Sequence, residues 1–281
     1  MHRILIPVLL LLFLNSFDSK GQEAITGYGS VTVIKELQNE ENRKYKLLIT
    51  LPPKYEKEKR YKVLYYLDAW WLSELVKGSY GINYIANEIE EVILVGISSV
   101  GDEDEWNKQR NMDYTPSAYD QEKMKVTMQG GNVELNDRTT GGAEKFMCFL
   151  KEEIFKYVES EYKIEKETRG LLGHSFGGLF GCYSLINHNK VFKNYILISP
   201  SIWWNRTELL SDSKKLKLKS ESNIFIVYGS KEVSFLIDPI KKMKNLLENN
   251  LEFKEYNGAN HHSILPVGIY DGIKEIYSRQ N

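Results

Sequence analysis

Two cysteines in 281 residues are too few for a disulfide framework. Cys148 and Cys182 both lie among apolar neighbours in helix-like segments, which points to buried free thiols. No Cys/His spacing matches a zinc site, so neither a metal nor another cofactor is expected. An excess of one charge is missing as well. The 37 Lys+Arg and 38 Asp+Glu leave a net −1, which offers no electrostatic basis for binding nucleic acid or anionic lipid. Long apolar runs are absent. The longest, Ile4–Leu14, is too short to span a bilayer. Internal repeats, low-complexity tracts and linker composition are also missing. At 42% hydrophobic and 27% charged residues, the chain reads as one folded domain.

Residues 1–21 are expected to be a signal peptide rather than part of the fold. His2-Arg3 give a basic start, the apolar run follows, and Ser16, Ser19 and Gly21 supply small residues near a cleavage site. No Cys lies there to carry a lipid anchor. The mature chain, 22–281, is expected to be exported, to the periplasm or the medium.

Patterning then gives strands before helices. Ser30–Ile34 and Lys46–Leu51 alternate apolar and polar residues, as half-buried antiparallel strands do. Lys62–Leu67 and Val92–Ile97 are nearly continuous apolar runs, suited to parallel strands covered on both faces. Leu72–Glu90 between them reads as a crossover helix. Ser98–Thr140 is polar and without clear periodicity, an insertion expected to form part of a pocket wall. Beyond it, an amphipathic helix carries Phe146, Phe149, Leu150, Ile154 and Val158 on one face. Strands at Leu171-Leu172, Tyr195–Ile198, Ile224–Tyr228 and Leu251–Tyr256 then alternate with helices at about 177–187, 236–249 and 264–277. Such alternation predicts an α/β fold, a mostly parallel doubly wound sheet with antiparallel strands at its N-terminal edge.

The sharpest motif is Gly173-His174-Ser175-Phe176-Gly177-Gly178. It matches the Gly-x-Ser-x-Gly nucleophile elbow, in which a serine occupies a tight strand-to-helix turn. The alternative is a glycine-rich helix start of structural use alone. A serine hydroxyl needs a base, and the chain has five histidines. His2 leaves with the signal peptide, His174 adjoins the serine, and His188 lies at the far end of the following helix. His261 and His262 remain, in the loop before the last helix, where an α/β-hydrolase places its base. An acid belongs between serine and histidine at a strand end. Of eight carboxylates in that interval, Glu232 sits three residues beyond the Ile224–Gly229 strand, and Asp238 is the runner-up. The amide of Phe176 and one from the Asp68-Ala69-Trp70-Trp71 loop after the Lys62–Leu67 strand are the expected oxyanion donors. Trp70-Trp71 and Trp203-Trp204 both follow strands. One of each pair is expected in the core and the other on the pocket wall, with Trp70 and Trp203 as substrate contacts.

These residues resemble the esterase branch of the α/β-hydrolases that includes esterase D, siderophore esterases and related carbohydrate esterases. Val63–Asp68, Arg110–Pro116 (RNMDYTP), Gly142–Phe146, Arg169–Gly178 and Ser199–Trp204 carry the resemblance. The family's Gly-x-Asn-His-x-Ser loop implies His261 as base, and its Gly-x-x-Glu turn matches Gly229–Glu232. Ala69 stands where the family usually has glycine, and its methyl restricts the backbone there. Arg110 is a candidate for an anionic substrate group, although pairing with Asp113 in its own loop is preferred. The expected activity is hydrolysis of a small-molecule ester by a serine, as in siderophore esterases. The alternatives are a feruloyl or acetyl esterase acting on carbohydrate, a ligand-binding protein with a silent triad, and, less favoured, a peptidase.

Overall fold

The computed structural model describes residues 23–25, 30–121, 135–211, 221–247 and 251–279. The expected signal peptide lies outside them. Among the described residues, nine strands form one sheet in the order β1-β2-β3-β5-β4-β6-β7-β8-β9. They are β1 (Glu23–Ile25), β2 (Val31–Gln38), β3 (Lys44–Leu51), β4 (Lys62–Tyr66), β5 (Val92–Ser99), β6 (Gly170–His174), β7 (Asn194–Ile198), β8 (Asn223–Gly229) and β9 (Leu251–Tyr256). The pairs from β1 to β3, and β3 with β5, are antiparallel, and all others are parallel. The fold is the expected α/β architecture with an antiparallel edge.

Period-two alternation divides the core. Val63, Tyr65, Leu67, Ile93, Val95 and Ile97 face one layer of buried side chains, whereas Leu64, Tyr66 and Leu94 face the other. On the second face pack α1 (Ala69–Ile85) and α7 (Leu265–Tyr277). On the first pack α3 (Ala143–Phe149), continued through a π-turn (Leu150–Ile154) into α4 (Phe155–Glu161), then α5 (Phe176–Asn187) and α6 (Ser234–Lys244). The five apolar residues expected on the amphipathic helix are all buried. Each fully buried Phe, Leu or Ile contributes about 1.5–3 kcal/mol relative to exposure.

Two expectations are corrected. The Ser98–Thr140 segment is not without regular structure: Ser98 and Ser99 complete β5, and Glu103–Tyr114 form a twelve-residue helix, α2. This helix buries Asn111, Asp113 and Tyr114 rather than an apolar stripe, so periodicity did not reveal it. Its N-terminus was legible by another signal. Asp102 accepts a hydrogen bond from the Glu105 amide at 3.1 Å, with Glu103 and Asp104 beside the positive end of the helix. Residues 122–134 of that segment lie outside the described residues. Both cysteines are free, as expected, but only Cys182 is buried. Cys148 shares the outer face of α3 with Glu144 and Lys145, because the helical period turns it away from Phe146 and Met147.

After β4 the chain steps to β5 on one side, and after the α3–α4 arm it returns to place β6 on the other. The strand order therefore reverses at β4 and β6, beyond whose carboxyl ends ligands bind in open α/β sheets. The turns Leu67–Ala69 and Ser175–Phe176 both lie there.

Candidate active site

Ser175 stands between β6 and α5 with φ 57° and ψ −115°. A non-glycine residue in that region stores about 1–3 kcal/mol of strain, and three backbone bonds hold it. Its amide donates to Ile198 O at 3.0 Å, and its carbonyl accepts from Leu179 and Ser201 at 2.9 and 3.0 Å. The turn closes so tightly that a Cβ at Gly173 would meet Gly177 O at 2.2 Å. Glycine there is a packing requirement. Phe176 and Ala69 are the first residues of α5 and α1, and first-turn amides have no partner within their own helix. The positive φ before α1 falls on Asp68 (56°), not on Ala69. The Ala69 methyl is therefore accommodated within ordinary helical backbone.

His261 and Glu232 come together from separate turns, after β9 and β8. His261 Nδ1 lies 2.8 Å from Glu232 Oε2. A carboxylate only accepts, so Nδ1 carries the proton and Nε2 is left free as a base. Glu232 Oε1 accepts from Ser199 Oγ at 2.6 Å and from the Gly229 amide at 2.8 Å. Burial of Glu232 opposes its ionisation, but these donors prevail and hold its carboxyl below the usual range. The β8 turn must approach the His261 loop closely: a Cβ at Gly229 would sit 2.3 Å from Ala259 O. Asp238 is exposed on α6, and His262 is exposed on its loop. His188 pairs instead with Glu144 at 2.8 Å.

Ser175 Oγ has one hydrogen-bond partner among the described residues, Ser201 Oγ at 3.2 Å. Neither Ser199 nor Ser201 was assigned a role from sequence. The local signal was the Ser199–Trp204 segment itself, which carries part of the family resemblance.

His174 is buried, and its Nε2–H donates to the backbone carbonyl of His261 at 2.8 Å. Burial, and then the neighbouring His261, push its pKa well below the ordinary 6.5. Below pH 6.5 the unfolded chain therefore binds a proton at this position that the folded protein refuses. Stability should fall as the pH is lowered from there toward the folded-state pKa, by up to about 1.4 kcal/mol per pH unit. His174→Gln, which retains a donor toward the His261 carbonyl, is expected to lose less stability than wild type between pH 7.5 and 5. Urea melts at the two pH values measure the difference. An equal loss in both proteins would refute the assignment.

Arg110 does not pair with Asp113. It forms a two-point ion pair with Asp68, Nε to Oδ1 at 2.9 Å and Nη2 to Oδ2 at 3.1 Å. Asp113 instead receives Tyr45 Oη at 2.8 Å and faces Arg43 at 3.1 Å. The motif brought the two residues within one turn of α2, but the helix directs them to different partners. Only 12% of the Arg110 side chain is exposed, and that of Asp68 is fully buried.

The tryptophans also depart from expectation. Trp70 and Trp71 are both partly exposed (40% and 37%), so neither is core. Trp70 stacks on Trp106 at 5.4 Å, and Trp71 meets Trp106 and His174 edge-on. Trp203 and Trp204 are both buried. Trp203 packs near Phe176 and Phe235, and its indole nitrogen has no hydrogen-bond partner among the described residues. Trp204 donates to Ser117. No group of three His, Cys, Asp or Glu among the described residues is placed to hold a metal. No described helix is long and apolar enough to cross a membrane.

Sheet order and the strand-to-helix turn at Ser175 define an α/β-hydrolase fold. The family described as Putative esterase matches residues 38–264, and the chain belongs to it. The chain is 30% identical over 244 residues to the ferri-bacillibactin esterase BesA of Bacillus subtilis, covering 81% of this chain and 82% of that protein. An apo-salmochelin esterase of Escherichia coli is 36% identical over 102 residues, 36% of this chain and 30% of its own length. The crystal structure of the BES protein from Bacillus cereus aligns with a TM-score of 0.76 at 26% identity, over 92% of this chain and 98% of that one. The protein is thus an ester hydrolase that resembles the siderophore esterases.

Proposed function

We propose that this chain is an exported serine esterase that cleaves siderophore-type esters through an acyl-enzyme. The observation that supports the reading is the His261–Glu232 pair, 2.8 Å apart, with the His261 carbonyl hydrogen-bonded to His174, the residue before Ser175 in its strained turn. Ser175 Oγ leaves its Ser201 partner and attacks the ester carbonyl as His261 Nε2 takes its proton. The amides of Phe176 and Ala69 receive the oxyanion. His261 returns the proton to the departing alcohol, then activates the water that releases the acid. Glu232 holds the imidazole tautomer and balances the imidazolium. The basic start and apolar run at the N-terminus support export, and the similarity to BesA supports the siderophore class. The part-exposed faces of Trp70 and Trp71 favour a second reading, a feruloyl ester of carbohydrate.

A fluorophosphonate probe, mapped by peptide mass spectrometry, tests the mechanism. Labelling is expected at Ser175 and should collapse in His261→Ala. A folded protein that takes no label would instead favour a silent ligand-binding role. Product release from ferri-bacillibactin, compared with release from a feruloyl oligosaccharide, separates the two ester classes.

A further inference from the structure

The Asp68–Arg110 pair has no part in the proton transfers described above, yet Asp68 immediately precedes Ala69 and Arg110 lies against Phe176, the two residues whose amides are assigned to the oxyanion. Asp68 is fully buried at the turn immediately before Ala69. Its backbone carbonyl accepts from Trp71 and Leu72, starting α1. Its carboxylate also reaches α5, because a Cβ on Gly177 would lie 3.4 Å from Asp68 Oδ2. Every described side-chain hydrogen bond to Asp68 comes from α2: Arg110 through two nitrogens, Trp106 Nε1 at 3.0 Å to Oδ1, and Tyr114 Oη at 3.4 Å from the Asp68 amide. The Arg110 guanidinium also lies 5.3 Å from the Phe176 ring. One helix thus fixes both the α1 start and the α5 start.

The electrostatic consequence follows directly. A carboxylate buried beside two amides that must receive a developing negative charge would oppose that charge, and a low-dielectric site would magnify the repulsion. A guanidinium bound at two points cancels it and holds the turn in one geometry. We infer that Arg110 is a positioning residue: by neutralising and clamping Asp68 it keeps the Ala69 and Phe176 amides aligned for the oxyanion, and it does not bind substrate.

The inference rests on the serine mechanism proposed above, which Ser175 labelling of the wild-type protein tests separately. Arg110→Met leaves the buried Asp68 charge uncompensated. It is expected to lower kcat by about 10²–10³, the range for loss of one oxyanion donor, with KM within about threefold. Affinity for a boronic acid, whose tetrahedral adduct mimics the intermediate, should fall in parallel. Asp68→Asn/Arg110→Met removes both charges together and keeps the test valid if the single variant folds poorly. It is expected to regain kcat to within about tenfold of wild type. Two outcomes overturn the inference in a protein that labels normally: KM rising with kcat unchanged, or a folded double variant no better than Arg110→Met. Either would show that Arg110 acts on the substrate itself.

Discussion

Ser175→Ala is expected to lower ester turnover by about 10⁶, the loss seen when a hydrolase nucleophile that works as a unit with its base is removed. His261→Ala should fall by a comparable factor, and the double variant should fall no further. Without the hydroxyl, a base has nothing to activate. Without the base, the hydroxyl remains at its own unreactive pKa. Residual hydrolysis, about 10³–10⁴ over water, would report the oxyanion amides and binding alone. Folding should be unaffected by the serine change, since alanine is held at the same φ of 57° by the same backbone bonds to Ile198, Leu179 and Ser201. Turnover assays of the three variants with urea melts check both halves. Retention of activity in Ser175→Ala would move the chemistry to another group.

Glu232→Gln is the second large effect, expected at about 10⁴ in kcat. Three donors converge on this carboxylate: His261 Nδ1–H, Ser199 O–H and the Gly229 amide. A glutamine brings one oxygen and one NH₂. If the oxygen faces Ser199 and Gly229, the NH₂ meets His261 Nδ1 and forces the proton onto Nε2, which abolishes the base. In the opposite orientation the Gly229 amide loses its acceptor, at about 1–3 kcal/mol for a buried donor. The pH dependence has a definite sign. Because the folded-state pKa lies below the ordinary 4.5, the stability Glu232 contributes is present above that value. It is lost as the pH falls through the folded pKa. The glutamine variant should lack this step, and denaturation between pH 6 and 3 would show it.

Much of this site could be read from the chain order. The elbow at Ser175 was legible because a tight strand-to-helix turn demands small neighbours, and the glycines advertise it. The His261-His262 pair was legible because few histidines exist, the family resemblance pointed to His261 of the two, and Glu232 was legible because strand ends are visible as apolar runs that stop. Helix α2 was less visible. Its inward face is Asn111, Asp113 and Tyr114, so polar pairing replaces the apolar period on which helix reading depends. The expectation of one core tryptophan in each pair failed for a related reason, since two adjacent indoles give no local sign of which face will meet the core.

Sequence by itself determined the period of each strand, the strained turn that presents Ser175, and the chain order of the candidates Ser175, Glu232 and His261. These depend on local sterics and on which side chains avoid water. Tertiary structure alone decided the partners of the charged and polar groups: Arg110 with Asp68 rather than Asp113, His174 with the His261 carbonyl, and Ser199 with Glu232. Such pairings depend on directions and distances of a few ångströms between segments tens of residues apart. In a buried site the group that arrives within hydrogen-bond reach settles where each charge is held.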